Sequence, residues 1–220
     1  MLYSNSGYAL LGMIVEAVSG MSIGDYFKQE ISDPLGLTHT YYKSSPEFPD
    51  DISNIVNGYM ELIPGELQNC SDLDMMYTAH SMGSVGLIAT PYEFVRMYRE
   101  IMTGNILDPA TVEVMMSGEK QYLDEVYLCQ GLMKITQYTY GDAYGHGGIF
   151  LGMDARSLYF PGSGVSIGFF TNLGEQFPSD NTLLFQTTMD ELVEVTFTGE
   201  SEFSMTRVQP NSKNFHKPLK

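Results

Sequence analysis

The chain has 220 residues, of which 43% are hydrophobic, and 27 acidic against 11 basic residues give it a net charge of −16. This length suffices for a full core, so we expect one domain or a large part of one. The acidic balance argues against nucleic acid as a partner, and the absence of an 18-residue apolar run argues against a transmembrane segment.

Helices are predicted in the first part of the chain. Residues 6–19 are apolar almost all round, a pattern typical of a buried helix. Ser4 or Ser6 can cap its start, and Gly20 can supply the left-handed residue that ends it. A second helix is predicted at about 22–31.

The middle of the chain is irregular and then helical again. Residues 41–81 contain several Pro and Asx residues without a regular period, which predicts a long loop of the kind that is often functional. Thr90 and Glu93 have the spacing of a capping box, with proline at the first helical position. The helix they open ends at Gly104, and a short helix is predicted at 108–118.

The last third changes to the alternating period of strands. Four strands are predicted, the last two joined as a hairpin by a Pro-Gly-Ser-Gly turn, and a closing helix follows at 181–195. Helices followed by an antiparallel sheet with a terminal helix form an α+β pattern. The predicted strands are 126–135, 146–153, 157–160 and 165–171.

Neither cysteines nor histidines suggest a metal. Cys70 and Cys129 are far apart, and the four histidines are scattered without metal-ligand spacing. We interpret the cysteines as two thiols and leave a disulfide open. No metal and no cofactor is predicted.

Two short motifs carry the functional signal: Tyr3-Ser4-Asn5 directly before the first apolar helix, and His146-Gly147-Gly148 on a strand far downstream. Together they resemble the serine β-lactamase/penicillin-binding protein superfamily, in particular its class C β-lactamase-like branch of D-alanyl-D-alanine carboxypeptidases and esterases. That family combines a Ser-x-x-Lys nucleophile, a Tyr-x-Asn and a Lys/His-Thr/Ser-Gly strand.

The resemblance covers roughly residues 2–196 and implies a β-lactamase/transpeptidase-like α+β fold with its N-terminal part missing. The expected domain is 1–196, with a mainly helical and loop part at 1–125 and the sheet and closing helix at 126–196. Residues 197–220 are polar and contain two prolines, which indicates a tail or linker.

The resemblance also implies roles for three residues. Tyr3 would relay the proton of the nucleophilic serine, Asn5 would donate to the substrate and brace the lysine, and His146 would face the substrate and the tyrosine. A phenol with a pKa of about 10 is a poor base at neutral pH unless a cation stabilises its phenolate. The alternatives are a plain aromatic residue for Tyr3, a helix N-cap for Asn5 and a structural histidine for His146.

The strand after His146 would bind substrate. Gly147 and Gly148 would let a substrate backbone approach, and the N–H of Ile149 matches the second donor of the family's oxyanion hole. Gly147 stands where the family has Thr or Ser, so a hydroxyl that would bind a carboxylate is absent. Ile149 stands where the family has Gly, and both departures leave the substrate class open.

The nucleophile motif is absent before Tyr3. The one serine placed three residues before a lysine is Ser117, which follows the Tyr-x-Asn and falls at a helix end. We therefore expect the C-terminal part of a serine hydrolase that forms an acyl-enzyme with D-amino-acid peptides, amides, esters or β-lactams, and that is inactive alone. The alternative is a non-catalytic homologue that binds a peptide or another ligand.

Further expectations follow from the resemblance. The family works mostly outside the cytoplasm, so an extracytoplasmic location is expected. The partner would be a small-molecule or peptide substrate. A missing N-terminal part would uncover the strand at 146–153 or the closing helix at 181–195, and would leave the helix at 7–18 without neighbours, so we expect self-association through the exposed surface.

Overall fold

The computed structural model describes residues 3–45, 48, 53–63, 66–73, 83–174 and 180–199. Helices dominate the first half of the chain, and a six-stranded sheet with a long helix forms the second. The helices are α1 (Asn5–Ser19), α2 (Ile23–Phe27), α3 (Asp33–Leu35), α4 (Pro91–Met102), α5 (Pro109–Met116) and α6 (Asp180–Thr198), and a π-helical turn, Lys28–Ser32, joins α2 to α3. The strands are β1 (Tyr41–Tyr42), β2 (Tyr59–Ile63), β3 (Glu66–Asn69), β4 (Leu87–Ile88), β5 (Lys120–Leu123), β6 (Val126–Leu128), β7 (Met133–Ile135), β8 (Ala143–Phe150), β9 (Met153–Phe160) and β10 (Val165–Thr171).

The main sheet is an antiparallel meander in the order β10-β9-β8-β7-β6-β5. Strands β8 and β9 pair so that His146 lies opposite Ser157. Strand β7 begins at Met133, opposite Gly145, so the part of β8 from His146 to Phe150 has no ladder partner on that side among the described residues. The expected α+β pattern of helices, an antiparallel sheet and a closing helix is confirmed.

The sheet is covered on both faces. On one face, Leu158 and Phe160 of β9 pack against Met189 and Val193 of α6, and all four side chains are essentially inaccessible to solvent. Burying a side chain of this kind contributes about 1.5–3 kcal/mol relative to leaving it exposed. The other face is covered by α4 and α5 through a cluster of Met102, Val112, Cys129, Leu132, Tyr144 and Tyr159.

Helix α1 is capped as its sequence predicts. Ser4 has extended backbone angles, and its side chain accepts a hydrogen bond from the N–H of Gly7. Gly20 adopts the left-handed conformation, with φ of 72°, and its N–H bonds to the carbonyl of Glu16. These caps fix where the helix begins and ends.

The expectation that α1 is buried is wrong for the described structure. Gly12 is its one buried residue, and Val18 is 82% exposed. Gly83, at φ of 77°, is packed so closely against α1 that a Cβ there would lie 2.8 Å from the carbonyl oxygen of Tyr8. The described residues therefore cover only one side of the helix. Its exposed apolar face consists of Leu10, Leu11, Met13, Ile14 and Val18.

Several predicted boundaries also differ. The strand expected at 126–135 is two strands, because the N–H of Cys129 bonds to the carbonyl of Leu132 and turns the chain between them. Strands β8 and β9 begin earlier than predicted, and β5 was missed. The region expected as a loop at 41–81 contains β1 and the β2–β3 hairpin among its described residues. Helix α6 runs on to Thr198, and residues 200–220 of the expected tail lie outside the described residues.

Two of the three surfaces expected to be uncovered are exposed in the described residues. Strand β8 has no ladder partner on the β7 side from His146 onward, and α1 carries an exposed apolar face. Helix α6 instead packs Met189 and Val193 on the sheet. Both cysteines are buried free thiols. In the described ranges no single helix is long and apolar enough to cross a membrane, and α1 with Ile23–Leu35 passes that test only as a pair bent by 80°.

Candidate active site

The structure brings Tyr3 and His146 together. Their ring centroids are 5.6 Å apart, and Tyr8 on α1 completes the cluster with centroids 5.6 Å from Tyr3 and 6.5 Å from His146. These separations are those of aromatic rings in contact. Two motifs that are distant in the sequence thus meet in one cluster, which we call the tyrosine–histidine cluster.

Local structure explains this meeting. The Ser4 cap starts α1 immediately after Tyr3, so the position of Tyr3 follows from that of the helix. Side chains alternate along β8, and His146 therefore shares a face with Tyr144, which packs in the cluster formed with α4 and α5. The tyrosine–histidine cluster consequently lies on the helical face of the sheet.

Asn5 is not the N-cap of α1, the structural role considered as an alternative for it. The N-cap of α1 is Ser4, and Asn5 is the first helical residue, so its interpretation as an N-cap is wrong. Its side chain is exposed, and within the described part of the chain it makes no hydrogen bond. The amide is therefore available to a ligand at the same end of α1 as Tyr3.

The electrostatics of the cluster leave both groups neutral at pH 7. Burial raises the pKa of the Tyr3 phenol above its usual value of 10.0, and Tyr8 and Tyr122 raise it further. Burial lowers the pKa of the His146 imidazole below 6.5, and Arg156 adds to the lowering, although a hydrogen bond from the ring to the Gly147 carbonyl opposes it. Tyr3 is therefore a protonated phenol, and the described residues do not turn it into a base.

A positive charge close to this part of β8 lies on the other face of the sheet. A Cβ built on Gly147 would lie 3.4 Å from Nε of Arg156, so a side chain at 147 would face Arg156. Arg156 donates to the side chain of Gln186 on α6 and lies over the ring of Phe185, 5.5 Å from its centroid. The Arg156 guanidinium is thus bound on the α6 side.

The rest of the predicted substrate strand is open. A Cβ on Gly148 would meet nothing within 4 Å, and Gly148 alternates onto the same face as His146. Ile149 is 55% exposed. Open space beside His146, on a strand that extends past β7, permits the close approach of a substrate backbone.

Sequence reasoning missed Tyr8, a member of the cluster, and Tyr122, which raises the pKa of Tyr3. Tyr8 lies on the first turn of α1 and was available as a signal, whereas Tyr122 lies on β5, a strand that the pattern did not reveal. Ser117 is the C-cap of α5 and donates its hydroxyl to the carbonyl of Val114, so it stands at a helix end as expected. Among the described residues, no group of three or more His, Cys, Asp or Glu could hold a metal ion.

Comparison with known proteins places this geometry in context. The family model described as beta-lactamase matches residues 1–188. The chain is 39% identical over 59 residues to a penicillin-binding protein of Bacillus subtilis (strain 168), covering 27% of this chain and 13% of that protein. It is 26% identical over 127 residues to the teichoic acid D-alanine hydrolase of Staphylococcus aureus, covering 56% of this chain and 30% of that protein.

A solved structure with a similar fold is the D-amino acid amidase from Ochrobactrum anthropi SV3. The TM-score is 0.79 with 24% identity, and the match covers 91% of this chain and 59% of the amidase. The chain thus spans less than two thirds of the length of the relatives it matches.

Proposed function

Because the chain belongs to the β-lactamase family of serine hydrolases, we propose that it supplies the tyrosine and histidine part of an acyl-transfer site for D-amino-acid derivatives. The nucleophilic serine and its lysine would come from a Ser-x-x-Lys segment outside these 220 residues. The observation that carries the proposal is the 5.6 Å separation of the Tyr3 and His146 rings, beside the open end of β8.

The proposed chemistry has two steps. The serine oxygen attacks the acyl carbon, Tyr3 relays the serine proton to the leaving group, and an acyl-enzyme forms. Water then attacks the acyl-enzyme, losing its proton through the same tyrosine, and the acid product leaves as the serine regains its proton. Asn5 would donate its amide to the acyl side chain, and Gly147 and Gly148 would line the approach of the substrate, with the N–H of Ile149 donating to the oxyanion.

Tyr3 needs a cation to act in this way. Burial and its phenolic neighbours raise its pKa, so the 220 residues alone hold it as a phenol. The lysine of a Ser-x-x-Lys segment would stabilise the phenolate or share its proton. We therefore propose that the isolated chain forms no acyl-enzyme.

The substrate we favour is an amide or ester with an uncharged leaving group. A substrate with a free carboxylate beside the scissile bond would need a cation or a hydroxyl at His146 and Gly147, and there the imidazole is neutral and the hydroxyl is absent. Two of the matched proteins, the D-amino acid amidase and the teichoic acid D-alanine hydrolase, are named for D-amino-acid substrates. A D-amino-acid amide or ester is therefore the first substrate to test.

Labelling with a fluorophosphonate or a fluorescent penicillin, followed by mass spectrometry, tests the proposal. We expect no stoichiometric adduct on the 220-residue chain, and one adduct on the serine of a Ser-x-x-Lys in a longer gene product that contains it. In that longer protein, Tyr3→Phe should slow acylation by about 100-fold or more, whereas Tyr92→Phe, at an exposed phenol on α4, should not. A stoichiometric adduct on any serine of the 220-residue chain would refute the proposal.

A non-catalytic homologue that binds a D-amino-acid ligand is the second candidate function, favoured by the neutral state of Tyr3 and His146. It predicts that the longer protein also resists labelling but binds a D-amino-acid amide, and that Tyr3→Phe weakens this binding.

Under either function we propose an extracytoplasmic location. We also propose that the exposed face of α1 lies against the Ser-x-x-Lys segment or, without that segment, against a second copy of the chain.

A further inference from the structure

A cavity lies between α4 and β10, and none of its residues belongs to the tyrosine–histidine cluster. Its volume is about 270 Å³. Sites for drug-sized ligands typically measure about 300–1,000 Å³, so this cavity suits a smaller group. We call it the arginine cavity, after the two arginines among its lining residues Tyr92, Val95, Arg96, Arg99, Glu100 and Ser166.

The guanidinium groups of both arginines are unpaired. Within the described part of the chain, the side chains of Arg96 and Arg99 make neither an ion pair nor a hydrogen bond. Other cations of the chain are held by partners: Lys134 lies 2.8 Å from both Glu119 and Asp142. The protein has a net charge of −16, so most of its surface favours cations. Two unpaired guanidinium groups beside one cavity make the local electrostatic potential more positive there.

The third feature of the cavity is a hydroxyl without a partner. The Oγ atom of Ser166 on β10 is buried, and it makes no hydrogen bond within the described residues. Burying a hydroxyl without a hydrogen bond costs about 1–3 kcal/mol of stability. A ligand that accepts a hydrogen bond would remove this cost, and Ser166 thus points to an acceptor in the cavity independently of the arginines.

The acidic residue at the cavity does not cancel these donors. The carboxylate of Glu100 accepts a hydrogen bond of 2.5 Å from the side chain of Asn105, one turn beyond the helix. Two guanidinium groups and a hydroxyl, opposed by one carboxylate that already has a partner, suit an oxyanion with several acceptor oxygens.

We infer that the arginine cavity is a binding site for a phosphate group, held by Arg96, Arg99 and Ser166. A tetrahedral phosphate offers an oxygen to each guanidinium and one to the hydroxyl. The bound group is either free phosphate or a phosphodiester within a larger molecule, since both present the same oxygens. This site is separate from the acyl-transfer chemistry and does not depend on it.

The test measures thermal unfolding and isothermal titration of the 220-residue chain with inorganic phosphate or dimethyl phosphate, at an ionic strength held constant with sodium chloride. A ligand that binds only the folded state raises the melting temperature increasingly as its concentration exceeds its dissociation constant. We expect phosphate to raise it more than chloride does. A stronger effect of dimethyl phosphate would assign the site to a diester, and a stronger effect of inorganic phosphate would assign it to the free ion.

Three substitutions identify the contacts. Arg96→Gln and Arg99→Gln should each weaken phosphate binding by about tenfold or more, because each removes a charged hydrogen bond. Ser166→Ala should weaken phosphate binding by about three- to tenfold. The melting temperature without phosphate should stay equal or rise, because the substitution removes a buried hydroxyl that has no hydrogen-bond partner among the described residues. Lys120→Gln removes the same charge from an exposed position on β5 and serves as the control.

Two results would overturn the inference. One is an equal rise in melting temperature with chloride and with phosphate at the same ionic strength, which would indicate general screening. The other is phosphate binding that survives both arginine substitutions, or that falls equally with Lys120→Gln. The phosphate-free stability of Ser166→Ala separates lost binding from lost folding.

Discussion

Replacing Glu93 by glutamine should destabilise the protein although the residue lies outside both sites. Glu93 is on α4, and its side chain is 8% exposed. Its carboxylate accepts hydrogen bonds from the N–H of Thr38 at 3.0 Å, from the N–H of His39 at 2.9 Å and from the hydroxyl of Thr40 at 2.6 Å. It thereby fastens the loop after α3 to α4.

The magnitude follows from these three bonds. Hydrogen bonds to a charged group contribute about 1.5–3 kcal/mol each, against about 0.5–1.5 kcal/mol for neutral ones. Glutamine keeps only one of the two acceptor oxygens. Its NH₂ group takes the place of the second oxygen and cannot accept a hydrogen bond from the loop. One bond is therefore lost and the rest weaken, so we expect Glu93→Gln to lower the free energy of unfolding by about 2–4 kcal/mol.

The effect should depend on pH. Burial raises the pKa of Glu93, but hydrogen bonds from Thr40, His39 and Thr38 outweigh it and place the pKa below its usual range. A carboxyl whose folded pKa is depressed contributes stability above its unfolded pKa, which is about 4.3, and that stability is lost as the pH falls through the folded value. The imidazole of His39 lies 3.5 Å away but is 70% exposed, so water screens its charge.

Urea unfolding of the wild type, of Glu93→Gln and of Glu113→Gln at several pH values is the assay. Glu113 is an exposed carboxylate on α5 and supplies the matched control. We expect a difference of about 2–4 kcal/mol between wild type and Glu93→Gln at pH 7, narrowing below about pH 4, and a change within about 0.5 kcal/mol for the control. A Glu93→Gln protein as stable as the control would show that the buried bonds do not hold the loop.

Three further outcomes are expected. Gly145→Ala should lower the melting temperature sharply, because its Cβ would overlap the carbonyl of Ser157, whereas Gly148→Ala should be tolerated because its Cβ meets open space; equal melting temperatures would contradict this. Replacing Ile14 and Val18 together by serine should reduce self-association in light scattering, since both are exposed on α1; an unchanged mass would exclude this face. Spectrophotometric titration should give Tyr3 a pKa above 10, assigned by loss of that transition in Tyr3→Phe.

The parts of the fold and site that follow from local rules could be predicted from the sequence. A cap residue, an apolar run and a left-handed glycine define α1 within one residue of its observed start. Alternation and a four-residue turn reveal the β9–β10 hairpin. Tyr3 and His146 were found because each belongs to a motif on such an element, and their meeting follows from the fold that the motifs indicated.

The parts that depend on partners distant in the sequence could not be predicted. Thr90 caps α4, since its hydroxyl accepts the N–H of Glu93 at 3.3 Å. The spacing also predicted that Glu93 would reach back toward Thr90, but its carboxylate turns to the loop at 38–40 instead. Three donors on the loop at 38–40 outweigh one N–H at a helix start, and nothing local to α4 reveals them.

The same distinction applies to α1. Its composition correctly indicates a helix that favours apolar neighbours on every side, but composition does not say which residues supply them. In the described structure Gly83 approaches one side, and the side carrying Leu10, Ile14 and Val18 faces solvent. Because this helix also holds Tyr3 and Asn5 at its first turn, whatever covers its apolar face would stand beside the tyrosine–histidine cluster. Stabilisation of α1 and completion of the proposed acyl-transfer site would then depend on the same contact.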